Sequence, residues 1–503
     1  MSTLPAITVD GRSLTLAALR DVAEGRARAT LGADARERMV ASRRVVDGIV
    51  ASGAPVYGVT TGFGKMSDVR IPGDKLAELQ VNLVRSHVVG VGPLLARREV
   101  RAMMLLRANV LAAGYSGARP LLADSILAML NADLWPPVPE QGSVGASGDL
   151  APLAHLALSL IGEGDLFHGD DRMPAAQALA AADIAPVTLA SKEGLALING
   201  TQAHTGVASL ALLDAETLWQ TAQVAGAATL DALMGTPDAF DDRIHAARGQ
   251  PGQRESARRL MELLEGSAIR ESHRVGDPRV QDAYALRCMP QVHGPVLEAI
   301  GFVKGILSRE ITAATDNPLV LPDGTLISGG NFHGQAGALA SDVLAIALTN
   351  LATISERRID RLVNPDLNEG LPAFLAQDPG LHSGYMIAQV TAAALTSECK
   401  ALAHPASVDT IPTDGGKEDV VPMAMGAAVK LRRVVHNVAH VLAIELMCAA
   451  QGIEYRRPLT SSARIEEAVA RVRRIVPRLE ADRVVAGDIA ALASAIRSAT
   501  FIV

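Results

Sequence analysis

The stretch HTGVASLALLDAETLWQTAQVAGAATLDALM, residues 204–234, decides the predicted fold class. Alanine and leucine recur in it at helical spacing without a residue that must end a helix, so it predicts one long helix. The same texture returns at 331–362, 386–403 and 424–450. Because these helices are apolar over most of their surface, each should be surrounded by other helices. The sequence therefore predicts an all-α protein built on a bundle of long helices.

Composition supports this prediction and excludes several classes of partner. Of the 503 residues 49% are apolar but only 3% are aromatic, which favours helix packing over aromatic-rich sandwiches. A formal net charge of −7 without a long basic run argues against nucleic acid or an anionic membrane as partner. Three distant cysteines without metal-ligand spacing argue against a structural zinc site and fit a reducing compartment. With no signal peptide and no membrane span recognisable, we expect a cytoplasmic protein.

The texture of the chain changes near residue 200. Before it, short helical patterns alternate with Gly/Pro turns, and after it the long helices begin. We therefore expect a smaller N-terminal domain, 1–200, and a helical bundle, 201–503, with a polar surface excursion at 238–259. The long helices carry more apolar surface than one chain can cover, which predicts an obligate homo-oligomer, with dihedral symmetry.

A bare turn, GSVGASGDLAPLAH (142–155), precedes a predicted helix start. Asp149 is a good N-cap and Pro152 suits a first turn, so a helix should begin near residue 149. A phosphate loop fits poorly, because no Lys-Ser/Thr pair follows the glycines. A plain tight turn is one interpretation. The other is chemical: if the Gly148 nitrogen closes on the Ala146 carbonyl carbon and two waters leave, Ser147 becomes an electron-poor methylidene.

The block that ends in GDLAPLAH resembles the signature of the histidine/phenylalanine ammonia-lyase family, and the resemblance extends along nearly the whole chain. In that family the Ala-Ser-Gly triplet becomes 4-methylideneimidazol-5-one (MIO). The resemblance implies an L-aspartase/fumarase-like helical bundle, a self-made MIO from Ala146, Ser147 and Gly148, and no metal or external cofactor. It also implies a homotetramer whose sites are each assembled from three chains, acting on a small amino acid.

The resemblance assigns roles to residues in four further motifs. Tyr57, in YGVTTGFG (57–64), is implied as the catalytic base, and it then needs a positive or hydrogen-bonding neighbourhood that makes it more acidic. Asn199, in EGLALINGTQAHTG (193–206), is implied to contact the MIO carbonyl and the substrate carboxylate, and Phe332 to line the pocket. In QDAYALRC (281–288), Arg287 is implied to pair with the substrate carboxylate, Tyr284 to assist proton transfer and Gln281 to hold the substrate and ring. If that motif is helical, these three residues lie on roughly one side.

The choice of substrate depends on two more residues. His87, in NLVRSHVVGVG, and Glu418, in IPTDGGKEDVVPM, resemble the imidazole-binding pair of the histidine-specific members, which implies conversion of L-histidine to trans-urocanate and ammonia. Taken alone, His87 is as well explained as a structural histidine. Thr60 departs from the histidine-specific pattern, where Asn is usual, and resembles the aromatic-specific members. Lys417 stands where Gln is usual and could pair with Glu418 or face outward.

Three hypotheses remain open from the sequence. The first is deamination of histidine. The second keeps the MIO chemistry in a tyrosine or phenylalanine ammonia-lyase, or in a 2,3-aminomutase. The third is a helical oligomer that kept the fold without the chemistry.

Overall fold

The computed structural model describes residues 4–502, and about 59% of the chain is helical. This confirms the predicted helical fold class. The α-helices are α1 (Leu16–Ala23), α2 (Ala33–Ser52), α3 (Leu76–His87), α4 (Arg97–Ala112), α5 (Pro120–Asn131), α6 (Leu150–Leu160), α7 (Ala175–Ala181), α8 (Glu193–Ile198), α9 (Gln202–Ala232), α10 (Asp242–Arg248), α11 (Pro251–Leu264), α12 (Ala268–Ser272), α13 (Tyr284–Arg287), α14 (Met289–Glu310), α15 (Gln335–Val363), α16 (Met386–Leu402), α17 (Ala424–Tyr455), α18 (Ala463–Ile475) and α19 (Ala486–Arg497).

Strands are short and gather in four small sheets. They are β1 (Ala6–Val9), β2 (Arg28–Leu31), β3 (Val91–Leu94), β4 (Leu134–Trp135), β5 (Pro139–Gln141), β6 (Asp165–His168), β7 (Asp171–Pro174), β8 (Leu319–Val320) and β9 (Leu326–Ile327). β1 pairs with β2 in parallel, with Ala6 opposite Arg28. The pairs β3–β5 and β8–β9 and the sheet β4–β6–β7 are antiparallel.

The four segments with helical texture form long helices, as predicted. The predicted 204–234, 331–362, 386–403 and 424–450 correspond to α9, α15, α16 and α17. A fifth long helix, α14, lies in a segment for which we made no prediction; it contains Pro295, which weakens the sequence signal. The polar excursion at 238–259 is itself largely helical, in α10 and α11.

The chain forms two compact units, each discontinuous in sequence. Among the described residues, unit 1 comprises 4–210, 304–342 and 405–429, and unit 2 comprises 211–303, 343–404 and 430–502. The sequence texture instead predicts two continuous segments, 1–200 and 201–503. The difference has a simple cause: boundaries between the units fall inside α9, α14, α15 and α17, so the chain passes from one unit to the other within these helices.

Within unit 1, α4 is buried over nearly its whole length and packs against α1 and α5. The start of α9 lies close to α4: a Cβ on Gly206 would lie 3.2 Å from the Met103 nitrogen. Such a close approach needs a small residue on one of the two helices. The N-terminal part of α9 is therefore anchored in the core of unit 1.

Unit 2 has a polar centre within its apolar core. Arg358 and Glu445 form an ion pair with both side chains fully buried, and Thr229 and Ser355 donate hydrogen bonds to the same carboxylate. Because a buried charge is tolerated only when it is paired and hydrogen-bonded, this network satisfies the charges inside the bundle.

Two helices, α15 and α17, are long and apolar enough to cross a membrane by length and composition. Of their most apolar windows, 61% and 89% of the residues are buried inside the protein. Core helices of a bundle have this combination of length, composition and burial.

Candidate active site

The glycine-rich segment 142–149 makes a tight turn between β5 and α6, all within unit 1. Gly145 and Gly148 bridge each other, so that Ala146 and Ser147 form the tip. Both glycines have φ of +75°, a conformation that side chains disfavour. A Cβ on Gly148 would lie 2.2 Å from the Gly200 carbonyl oxygen. Glycine is therefore required at position 148 by its conformation and by its neighbour.

Hydrogen bonds from Asn199 and its neighbour hold this turn in place. The Asn199 side-chain amide donates to the Ser147 carbonyl oxygen at 2.8 Å, and the Asp149 backbone N–H donates to the Gly200 carbonyl at 2.7 Å. On the other side, the Gly334 N–H donates to the Gly145 carbonyl at 2.9 Å. The tip of the turn is thus anchored to the segment that starts α9.

Asp149 occupies the N-cap position of α6, as predicted, but its side chain makes no capping hydrogen bond there. The carboxylate instead accepts the His204 backbone N–H at 2.9 Å and pairs with His204 Nδ1 at 2.9 Å, which caps α9. Both side chains are fully buried. Burial alone raises the pKa of Asp149 and lowers that of His204, but their mutual attraction outweighs burial: the pKa of Asp149 is lowered and the pKa of His204 is raised.

Arg107 of α4 supports the same segment from beneath. Its guanidinium donates to the carbonyls of Ala196 and Asn199, both at 3.0 Å, and to the Gln202 side chain. Burial lowers its pKa to about 10, against the opposing charges of Asp316 and Asp149. Arg107 therefore holds the Asn199–Gly200 backbone that in turn holds the 142–149 turn.

Tyr57 lies at the head of its predicted loop, half-buried. Burial raises its pKa, the Gly64 N–H that bonds its hydroxyl lowers it, and the carboxylates of Asp414, Asp316 and Glu418 raise it. The predicted hydrogen-bonding neighbour is present, but the charged groups that shift the pKa of Tyr57 are all carboxylates. The net shift of the Tyr57 pKa is upward.

Thr60 is buried, and its side chain hydrogen-bonds to the backbone of its own loop. Its hydroxyl donates to the Ala54 carbonyl at 2.6 Å and accepts the Val56 N–H at 2.8 Å. Thr60 is not among the residues that line the cavity at Tyr57. Its side chain fixes the backbone from which Tyr57 projects, so it acts on the site through Tyr57.

Glu418 lies at the tip of the turn. One carboxylate oxygen accepts a short hydrogen bond from the Ser147 hydroxyl, and the other accepts one from the Thr413 hydroxyl. No hydrogen bond or ion pair within residues 4–502 joins Lys417 to this carboxylate. Lys417 thus contributes a positive charge to the cavity wall, while the hydrogen bonds to the Glu418 carboxylate come from the hydroxyls of Ser147 and Thr413.

Tyr57, Ser147 and Glu418 lie on the wall of a cavity of about 470 Å³. It is lined by Tyr57, Gly64, Ser67, Ala146, Ser147, Ser328, Phe332, His333, Asp414, Lys417, Glu418, Asp419 and Val420. Five predicted site residues lie on its wall: Tyr57, Ala146, Ser147, Phe332 and Glu418. A larger cleft of about 940 Å³ in unit 2 runs along α10 and α11, where the arginines are engaged in surface ion pairs, and it holds none of the predicted residues.

The remaining predicted residues lie elsewhere. His87 ends α3, with Nδ1 at 2.8 Å from the Leu83 carbonyl, and is not on the cavity wall. Tyr284 and Arg287 belong to α13 in unit 2, where the guanidinium carbon lies 4.8 Å from the ring centre and Tyr284 is 70% exposed. Gln281 precedes α13, because Ala283 is extended and acts as the N-cap. The three residues therefore do not share one helical face, contrary to the spacing argument.

Sequence reasoning missed the residues that support the turn. It also missed the pairing of Asp149 with His204 and two residues of the cavity wall, His333 and Asp414. Arg107, His204, His333 and Asp414 all come from segments distant in sequence from the turn. His204 stands in the motif EGLALINGTQAHTG and Asp414 in IPTDGGKEDVVPM, and this closeness to predicted residues was the signal that the sequence offered for them. Among residues 4–502, no group of three or more His, Cys, Asp or Glu side chains is arranged to hold a metal ion.

The turn fits the ring that the Ala-Ser-Gly triplet implies. Gly148 has no side chain to obstruct its nitrogen, the Gly145–Gly148 bridge folds the triplet sharply, and the Ser147 carbonyl already has a donor in Asn199. No buried charge is left unpaired by closing the ring, because Asp149 is paired with His204.

Comparison with known proteins gives a consistent result. The profile of the family "Aromatic amino acid lyase" matches residues 14–474. A protein from Anaeromyxobacter sp. (strain K) named histidine ammonia-lyase is 55% identical over 500 residues, covering 98% of both chains. The crystal structure of histidine ammonia-lyase from Trypanosoma cruzi is 43% identical, with a TM-score of 0.92 over 99% of this chain and 94% of that one. Tyrosine aminomutase from Streptomyces globisporus is 39% identical, with a TM-score of 0.94 over 99% and 98%. The chain therefore belongs to the aromatic amino acid lyase family.

Proposed function

We propose that this protein is a histidine ammonia-lyase, which converts L-histidine to trans-urocanate and ammonia. The main observation in its support is that Tyr57, Ser147 and Glu418 line one cavity. The Asn199 side chain is hydrogen-bonded to the Ser147 carbonyl beside them. The relatives named histidine ammonia-lyase, at 55% and 43% identity over nearly the full chain, support this choice.

The cofactor that we propose is MIO, formed from Ala146, Ser147 and Gly148 without a metal or an external group. Once formed, it supplies the electrophile that accepts the substrate amine and makes it a better leaving group. Tyr57 then removes the β-proton of the substrate, which is barely acidic and needs a well-placed base. Asn199, on the carbonyl of Ser147, fixes the orientation of the reacting centre.

Recognition of imidazole is assigned to Glu418 and His87, as the family resemblance implies. A carboxylate on the cavity wall accepts an imidazole N–H well, whereas a plain phenyl ring offers it no hydrogen-bond donor. Within residues 4–502 no ion pair joins Lys417 to it, and its carboxylate oxygens bind Ser147 and Thr413. Arg287 is assigned to the substrate carboxylate, for which its planar fork is suited, with Tyr284 and Gln281 beside it.

The placement of Gln281, Tyr284 and Arg287 in unit 2 supports the proposal of a homotetramer. Tyr284 is largely exposed, and so are the apolar side chains of Ile387 (63%) and Val390 (52%) on α16. Apolar surface of this kind is typical of an interface that another subunit covers. We assign these three residues to the site of a neighbouring subunit. The free thiols of Cys288, Cys399 and Cys448 support a cytoplasmic location.

A second candidate is a tyrosine or phenylalanine ammonia-lyase, or a 2,3-aminomutase, with the same MIO chemistry. The 39% identity to a tyrosine aminomutase favours keeping it. Thr60 resembles the aromatic-specific members in sequence, but it does not favour this candidate through direct contact with substrate, because its side chain binds the backbone of its own loop.

One set of measurements tests the proposal. The purified protein is incubated with histidine, tyrosine and phenylalanine, and urocanate, coumarate, cinnamate and β-amino acids are followed. We expect urocanate from histidine alone, and coumarate or a β-amino acid without urocanate would contradict it. The intact mass should fall short of the sequence mass by two waters. Ser147→Ala should keep the fold, have the full mass calculated for its substituted sequence, and lose nearly all turnover. Near-full activity in that variant would refute the proposed MIO.

A further inference from the structure

The hydroxyl of Ser147 is the group that must leave when the triplet becomes MIO, and it binds Glu418. The geometry points to a second role for Glu418: it is the proton shuttle that dehydrates Ser147 during cofactor formation, before any substrate binds. This inference rests on the proposed MIO chemistry and adds a role separate from the binding of imidazole.

Glu418 is held for this task by the short segment 413–418. Thr413 and Glu418 bridge each other, with the Thr413 N–H donating to the Glu418 carbonyl at 2.9 Å, and Gly415 turns the chain between them with φ of +59°. The Thr413 hydroxyl binds one carboxylate oxygen, which leaves the other directed at Ser147. The carboxylate is therefore oriented at the leaving oxygen by its own backbone segment.

Two dehydrations must be distinguished. In the first, the Gly148 nitrogen bonds to the Ala146 carbonyl carbon. The Ala146 oxygen then leaves as water with the protons of the Gly148 and Ser147 nitrogens, and a C=N bond forms. In the second, the Ser147 Cα–H proton and the Ser147 hydroxyl leave as water, and the Cα=Cβ bond forms. The structure places the Glu418 carboxylate against the Ser147 hydroxyl, which leaves in the second dehydration.

In the second dehydration one carboxylate is sufficient for both proton transfers. Glu418 takes the Cα proton of Ser147 and returns it to Oγ, the Cβ–Oγ bond breaks, and the electron pair of the Cα–H bond forms Cα=Cβ. Water leaves and Glu418 is again a carboxylate, so no further acid, base or oxidant is consumed. Asn199 assists, because its amide donor lies 2.8 Å from the Ser147 carbonyl oxygen, where negative charge develops as the Cα proton departs.

The test is the maturation of Glu418→Gln, which keeps the size and hydrogen-bonding ability of the side chain but removes the base. Freshly expressed protein is followed by intact mass and by the near-ultraviolet absorbance of the conjugated ring. After allowance for the substitution, we expect a chain heavier than mature protein by one water, with the second water lost on the order of 10²-fold more slowly. Tyr57→Phe is the matched control on the same cavity wall, and it should lose both waters at the normal rate.

A second variant guards against a folding defect. Glu418→Ala should regain the second loss of water when formate is added but not when chloride is added, with circular dichroism and gel filtration unchanged. Loss of both waters from Glu418→Gln at the normal rate would overturn the inference. Retention of both waters would also overturn it, since Glu418 would then act at ring closure. If the unmodified protein itself keeps both waters, the failure lies with the proposed function.

Discussion

At the scale of single residues, the proposed role of Tyr57 as the catalytic base depends on the groups that surround its hydroxyl. A base acts in its ionised form, and the pKa of Tyr57 is raised by burial, with Asp414 the largest of the charges that raise it further. The Gly64 N–H opposes them. The value of kcat/KM should therefore rise with pH as the Tyr57 hydroxyl ionises.

Asp414→Asn should move this rise in kcat/KM to lower pH. Removing a negative charge near Tyr57 lowers the pKa of its hydroxyl, so the ionised form persists at lower pH. The substitution keeps an oxygen for the Lys65 N–H, which binds Asp414 at 3.2 Å, so the loop contact is preserved. The measurement is kcat/KM against pH. Asp419→Asn is the matched control, because Asp419 lines the same cavity but is not among the carboxylates that shift the pKa of Tyr57. A rise at unchanged pH in Asp414→Asn would contradict the assignment of Tyr57 as base.

At the scale of elements, the buried Asp149–His204 pair joins the starts of α6 and α9. Removing one partner leaves the other charge buried without compensation, which typically costs about 3 kcal/mol or more. His204→Gln should therefore lower the free energy of unfolding by about 3 kcal/mol, measured by urea denaturation at about pH 5.

The pH dependence of this loss follows from the two pKa shifts. The pKa of His204 is raised, so its contribution is complete below the ordinary value of 6.5 and fades as pH rises through the folded value. The pKa of Asp149 is lowered, so its contribution is complete above 3.8 and is lost as pH falls through the folded value. The effect of His204→Gln should be greatest between these two values. His245→Gln serves as a contrast, because burial lowers the pKa of His245 and its effect should decline toward acid pH. A loss in His204→Gln that is independent of pH would mean that the pair is not ionised.

At the scale of the whole molecule, the predicted site residues are divided between the two units. Tyr57, Ser147 and Glu418 lie in unit 1, whereas Tyr284 and Arg287 lie in unit 2. If the site of one chain takes Arg287 from another chain, two inactive variants can restore each other in a mixed oligomer.

Co-expression tests this directly. Tyr57→Phe and Arg287→Ala, each nearly inactive alone, should recover roughly a quarter of the native activity when mixed equally, since that share of sites receives both native residues. Tyr57→Phe mixed with Ser147→Ala should recover none, because both residues line one cavity of the same unit. Absence of recovery in the first mixture, with mixed oligomers confirmed by mass, would place Arg287 in the site of its own chain.

The sequence alone determined the fold class and much of the cavity. Long helices follow from Ala/Leu periodicity, which is a local property, and the observed bounds of α9, α15, α16 and α17 lie within a few residues of the predicted ones, except at the C-terminus of α17. Tyr57, Ala146, Ser147, Phe332 and Glu418 were found because each stands in a recognisable motif, and the structure places all five on one cavity wall.

Only the tertiary structure decided which groups act on which. Asp149 caps α9 rather than α6, and Glu418 binds Ser147 rather than Lys417. The sequence argument required a positive or hydrogen-bonding neighbourhood around Tyr57. The Gly64 N–H provides the hydrogen bond, but burial and the carboxylates of unit 1 outweigh it and raise the pKa of Tyr57. Local patterns specify where helices and turns form, whereas hydrogen bonds and charge pairs between residues more than fifty positions apart depend on how those elements pack.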